Sequence, residues 1–189
     1  ESFRNQHINV SEKIYYKGEK IYIDDTDILF LGSDQIWNPD ITQGFDGVYF
    51  GKIGRNDLFT VSYAASLGKT EFNNNEKKEL KQLLGSVNLI SVREEEGAEI
   101  LRELTDRPIN CTPDPTILLD KSHWESIASP PKVPCTRDYV LVYMLSYDEV
   151  VVNLANKVSE LLNCEIILLD SGLSKGIAGM KQRKDCGPE

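Results

Sequence analysis

Apolar residues in this chain fall into short unbroken runs, and stretches with a helical period separate them. DILFL at Asp27–Leu31 is the first run and LFTVSY at Leu58–Tyr63 the second; NLISV at Asn88–Val92 follows, with a weaker fourth at Ile109–Thr112. Unbroken apolarity, rather than alternation, is the mark of a parallel strand buried on both faces. Between the runs, Glu76–Leu84 sets Leu80, Leu83 and Leu84 on one helical face. Glu94–Leu104 does the same with Ala98, Ile100, Leu101 and Leu104, and its acidic first turn complements the helix dipole. The pattern predicts four parallel strands in one sheet with helices between them.

SPPKVPCTR, at Ser129–Arg137, interrupts this order with three prolines and no period. It reads as a linker. Beyond it, Tyr139–Leu145 predicts a strand. Asp148–Leu162 predicts a helix with Val151, Leu154, Ala155, Val158 and Leu161 facing inward, and Glu165–Asp170 a second strand, giving one right-handed βαβ unit. The expected architecture is therefore α/β: a Rossmann-like parallel sheet with flanking helices over residues 1–130, a linker at 131–138, and a second domain beginning at 139–189 with its own sheet. Glu1–Lys20 carries no strand signal, and Gly187–Glu189 reads as a loop entering a helix. A second domain of about 50 residues is too small to cover both faces of a sheet, so an internal stretch of a longer protein is expected.

Composition narrows the function classes. The chain has 189 residues, is 40% hydrophobic and carries a formal charge of −9. An acidic surface repels phosphate backbones, which argues against nucleic-acid binding. No apolar run approaches the roughly 20 residues of a membrane span, and no leader pattern is visible. Four separated cysteines without a CxxC pair, and only two histidines, argue against a zinc site and for reduced thiols in the cytoplasm.

The chemistry gathers where the strands end. Gly32-Ser33-Asp34-Gln35 follows the first, Ser62-Tyr63-Ala64-Ala65-Ser66 closes the second, Arg93-Glu94 follows the third and Pro113-Asp114-Pro115 the fourth. In open parallel sheets, ligands bind beyond the carboxyl ends of the strands, where helix N-termini also point. The four sequences thus converge on one edge with hydroxyls, a guanidinium and carboxylates, and the indole of Trp37 follows close behind the first. That set suits a polar, hydroxyl-bearing, phosphorylated ligand. Each residue also has a plainer use. Gly32 permits a tight turn, Ser33, Asp34, Ser62 and Ser66 can cap backbone N–H groups, and Asp114 before Pro115 is a turn signature. Trp37 is either a core indole or a platform for a sugar ring, and Arg93 either grips an anion or pairs with neighbouring glutamates. His123 lies in a Ser122-His123-Trp124-Glu125 capping pattern and reads as an exposed first-turn residue. Lys175, Lys181, Arg183 and Lys184 read as a basic surface loop.

FLGSDQIWNPD, VSYAASLGK, SVREEEGAEIL, PDPTILLDKSHW, YVLVYML and DCGPE occur in this order, and together they resemble the polysaccharide pyruvyl transferase family from about Asp27 to Glu189. The resemblance implies a glycosyltransferase-B-like pair of Rossmann-type domains, the second one truncated here. It implies transfer of a pyruvyl group from phosphoenolpyruvate to sugar hydroxyls of a polysaccharide or its lipid-linked precursor, with peripheral membrane association through such an acceptor. The strand-end residues supply the candidate set for this chemistry: Asp34 and Arg93 for catalysis, and Gly32, Ser33, Gln35, Trp37, Ser62, Tyr63, Ser66 and Asp114 for substrate binding. Two departures stand out. The family's opening strand with its Asn-Tyr-Gly-type loop has no match, nor does the Ser-Phe-His-Gly-type segment that carries its candidate acid or base. Ketal formation requires protonation of the donor's methylene carbon, attack by a hydroxyl and loss of phosphate. It therefore needs cations and proton carriers but no redox cofactor or metal. A nucleotide-sugar glycosyltransferase of the same architecture and a non-catalytic carbohydrate-binding relative are the alternatives.

Overall fold

The computed structural model describes residues 8–11, 13–23, 25–55, 57–128, 136–170 and 181–184. It divides the chain into two compact units, one spanning Ser11–Lys121 and the other taking in the residues from Ser122 onward. The expected linker at 131–138 lies largely outside the described residues.

In the first unit, β1 (Ile28–Leu31) pairs in parallel with β2 (Phe59–Ser62), and β3 (Ile90–Val92) with β4 (Ile109–Cys111). All four strands run parallel, as their apolar runs predict, but the expected single ladder is split between β2 and β3. Two isolated parallel bridges, Val61 to Leu89 and Ala65 to Val92, cross the seam. The cause is a side chain: the Ser62 hydroxyl accepts from the Ser91 N–H at 2.9 Å and donates to the Ser91 carbonyl at 3.0 Å. A hydroxyl thus stands where backbone would otherwise pair with backbone. Ser62 is fully buried, with no atom free for a ligand, which corrects its expected place in the binding set. Replacing Ser62 with alanine strands the buried Ser91 N–H at a cost of about 1–3 kcal/mol, while the Ser91 carbonyl keeps the Ala65 N–H at 3.2 Å. A fall of that order in unfolding free energy, read from urea titration, is the expected outcome.

A short helix α1 (Pro39–Thr42) and a 3-10 turn (Gly47–Phe50) connect β1 to β2. Helix α2 (Asn74–Leu84) opens with a full capping box between Asn73 and Glu76, and α3 (Glu95–Leu104) follows β3. Leu80, Leu83 and Leu84 of α2 and Ala98, Leu101 and Leu104 of α3 are buried in one core with Leu31, Ile90, Val92 and Ile109. Ile100 is only partly buried at its margin. The other face of the sheet departs from expectation, since Ile28, Phe30, Phe59 and Leu89 stay exposed, Phe30 to 65%. An unbroken apolar run shows that neither face is polar; it does not name the element that covers it.

Helix α4 (Lys121–Ile127) begins ahead of Ser122, so Ser122 lies inside its first turn instead of capping it, and His123 is exposed. In the second unit, β5 (Tyr139–Met144), α5 (Glu149–Leu162) and β6 (Glu165–Asp170) form the expected parallel βαβ unit, closed on a core of Val142, Met144, Val152, Ala155, Ile166 and Leu168. Asp148 caps α5, accepting from the Val150 and Val151 N–H groups. The buried face of α5 is rotated from the expected one: Val152 and Ala155 point inward while Val151, Leu154 and Leu161 are exposed. Residues Lys181–Lys184, expected in a loop, form a strand β7 parallel to β6. Lys175 and the DCGPE stretch lie outside the described residues.

Candidate functional site

The strand-end loops of the first unit meet, and hydrogen bonds and ion pairs join them. At β1, Gly32 has φ +128°, and a side chain there would run into the Tyr63 carbonyl oxygen. Glycine is required by both conformation and space. Asp34 is exposed in the left-handed region at φ +31°, and its carboxylate accepts from the Gln35 N–H at 2.8 Å. The Ser33 hydroxyl donates to Asp114 Oδ2 at 3.3 Å, bringing the β1 loop to the β4 loop. Arg93, at the end of β3, places Nη2 2.9 Å from the same oxygen. Asp34, Ser33, Arg93 and Asp114 thus belong to one edge of the sheet, as their positions after strand ends predict.

The β2 loop is fixed from within. Ser66 donates its backbone N–H to the Asp34 carbonyl at 2.9 Å and its hydroxyl to Glu94 Oε1 at 2.9 Å. Tyr63 is half-buried, and its N–H donates to the Leu31 carbonyl. Gln35 accepts from Asn38 Nδ2 at 2.8 Å and packs where Gly68 leaves room, which makes it a brace within the loop. Trp37 is a correction. It is 0% exposed, stacks on Phe50 with centroids 5.0 Å apart, and donates Nε1–H to the Tyr49 carbonyl at 2.8 Å. A fully buried indole offers no face to a sugar; it supports the Asp34 loop from behind.

Asp114 is biased toward its ionised form. The Asp114 carboxyl is held below the usual range, first by the Thr116 N–H and hydroxyl and then by the Arg93 charge and the Ser33 hydroxyl, against an opposing push from burial. Its folded pKa is depressed, so its stabilisation is complete above the unfolded value near 3.9 and is lost as pH falls through the folded value. The gap in unfolding free energy between the native protein and Asp114→Asn should stay constant from about pH 5 to pH 8 and shrink below about pH 4. A pH series of denaturant midpoints reads this directly. Arg93 retains one unmet group: its Nε is buried and has no hydrogen-bond partner among the described residues. Thr116, which follows the Asp114-Pro115 turn, is not singled out by the sequence, and Glu94 is named at its strand end without a role.

The described residues form an α/β protein whose polar side chains collect at the carboxyl ends of parallel strands, the usual place for a ligand in this class. The chain belongs to the polysaccharide pyruvyl transferase family, whose family model matches residues 2–184. Comparison with curated proteins and with solved structures gave no match. No helix among the described residues is long and apolar enough to cross a membrane, and no cluster of three or more His, Cys, Asp or Glu there could hold a metal ion.

Proposed function

We propose that this protein moves a pyruvyl group from phosphoenolpyruvate onto sugar hydroxyls as a ketal, and that the strand-end edge of the first unit receives the donor. The observation that carries this reading is Arg93. One terminal nitrogen holds Asp114, while the buried Nε is unsatisfied. The Arg93 side chain is 27% exposed, and an anion with two oxygens side by side would engage its exposed terminal N–H groups as a bidentate partner. Phosphoenolpyruvate brings two such groups, a phosphate and a carboxylate.

In this reading Asp114, kept ionised, orients Arg93 and Ser33 and does not supply protons near neutral pH. Asp34, exposed and with only one oxygen committed to its own loop, accepts the attacking sugar hydroxyl's proton. Protonation of the methylene carbon leaves an oxocarbenium-like centre. The first hydroxyl adds to it, phosphate departs with one proton to leave a second oxocarbenium-like centre, and the second hydroxyl closes the ketal there, its proton replacing the one spent on the methylene carbon. The chemistry needs neither a redox cofactor nor a metal. The proposal includes a glycosyltransferase-B-like two-domain arrangement, a saccharide or lipid-linked oligosaccharide acceptor that draws the protein to the membrane surface, and work in the cytoplasm as part of envelope polysaccharide synthesis.

Thermal shift of the full protein separates the readings. Phosphoenolpyruvate should raise Tm by mass action, by about 2.7 kcal/mol of stability at 100 times Kd, while UDP and GDP leave it unchanged. A shift with the nucleotides alone would replace this reading with a nucleotide-sugar glycosyltransferase. No shift with any of the three would favour a non-catalytic carbohydrate-binding relative.

A further inference from the structure

We infer that Glu94 is a positioning residue that sets the Asp34 loop against Arg93 through the buried hydroxyl of Ser66; this rests on the reading of Asp34 and Arg93 as the groups that face substrate. Glu94 occupies the N-cap position of α3, where a carboxylate ordinarily accepts from the first free N–H groups of its own helix. It makes no such bond. Its Oε1 instead accepts the Ser66 hydroxyl at 2.9 Å, on the neighbouring strand-end loop.

Ser66 is 1% exposed and is a four-way junction. Its hydroxyl donates to Glu94 and accepts from the Gly68 N–H at 3.1 Å. Its backbone N–H donates to the Asp34 carbonyl, and its carbonyl accepts the Trp37 N–H at 3.2 Å. Both sides of the Asp34 turn therefore hang on one residue, and Glu94 fixes that residue's hydroxyl.

The interactions close into a ring. Ser33 bonds Asp114, Asp114 pairs with Arg93, Arg93 is followed by Glu94, Glu94 holds Ser66, and Ser66 bonds Asp34, the residue after Ser33. Arg93 and Glu94 reach in opposite directions from the end of β3, one to the β4 loop and one to the β2 loop. The separation between the guanidinium and the Asp34 carboxylate is consequently set by this dipeptide. Positioning errors near 1 Å cost catalysis up to about 100-fold, so the ring has a kinetic signature that a stabilising bond elsewhere would lack.

The test compares Glu94→Ala and Glu94→Gln in the full protein. Glutamine keeps an oxygen that can accept from Ser66; alanine keeps none. Glu94→Ala should lower kcat for phosphoenolpyruvate-dependent phosphate release by roughly 10- to 100-fold, with KM for phosphoenolpyruvate moving less than about threefold. It should also speed amide exchange at Trp37, Ser66 and Gly68 while Leu80–Leu84 stays protected. Glu94→Gln should restore both readouts to within about threefold. Equal losses in the two variants would mean that the charge acts and not the hydrogen bond, which overturns the proposal. Unchanged exchange at the three amides in Glu94→Ala overturns it as well. The exchange arm uses no substrate, so it decides the role of Glu94 even where the donor proves not to be phosphoenolpyruvate; that failure would appear separately, as absent turnover in the unsubstituted protein.

Discussion

Replacing Arg93 with alanine should lower phosphoenolpyruvate-dependent phosphate release by roughly 10- to 100-fold per folded molecule, the equivalent of one charged hydrogen-bonding contact at about 1.5–3 kcal/mol. Lysine should rescue poorly. Its ammonium can approach Asp114, but a point charge cannot present two parallel N–H donors to a two-oxygen anion. The loss should sit in donor KM as well as kcat, because the cation touches the donor before and during reaction. A purely structural Arg93 predicts a different pattern. With its partner removed, Asp114 keeps its Thr116 and Ser33 bonds but loses its counter-charge. The melting temperature would then fall while each folded molecule turned over normally. Wild-type turnover in both Arg93→Ala and Arg93→Lys would leave Arg93 as scaffolding and remove the observation on which the functional reading stands.

What the sequence disclosed, and what it concealed, follows from the range of the interactions involved. Strand runs such as Ile28–Leu31 and Ile90–Val92 and the capped helix Asn74–Leu84 are local patterns, and a local pattern survives in one dimension. The gathering of Ser33, Arg93 and Asp114 was legible too, because parallel strands must end on the same edge. The uses of individual hydroxyls were not. Ser62 and Ser66 both close the same run, yet Ser62 stitches β2 to β3 while Ser66 holds Glu94. Which partner each finds depends on strand register, which is set 25 or more residues away. Glu94 looked like one more acidic residue of a first turn, since its diversion from capping to Ser66 shows only in three dimensions. The rotated face of α5 has a similar origin. Val150, Val151 and Val152 are consecutive, so periodicity alone offers several inward stripes, and packing against Val142 and Ile166 selects the one through Val152 and Ala155.

Trp37→Ala should be the most damaging single change to stability in the first unit. The indole is fully buried, lies parallel to Phe50 with an interplanar angle of 4°, and Phe50 in turn meets Phe45 edge-on at 6.0 Å. Removing a buried tryptophan costs about 3–5 kcal/mol through lost transfer energy and the cavity left behind. That is a large share of the 5–15 kcal/mol that holds a typical domain. Trp37→Phe keeps an aromatic ring against Phe50 but deletes the Nε1–H donor, leaving the Tyr49 carbonyl without that bond, so a smaller loss of about 1–3 kcal/mol is expected. The Trp37 N–H to Ser66 bond belongs to the backbone and survives both changes, provided that the loop keeps its place. Guanidinium titrations of the three proteins should therefore order as native, Phe, Ala, with the midpoint falling at an unchanged slope. A sugar-platform role predicts the reverse emphasis: near-native midpoints, with acceptor KM rising steeply in Trp37→Ala. An alanine variant that loses less than about 1 kcal/mol, far under the cost of a buried aromatic, while acceptor KM climbs would move Trp37 out of the core and back into the sugar site.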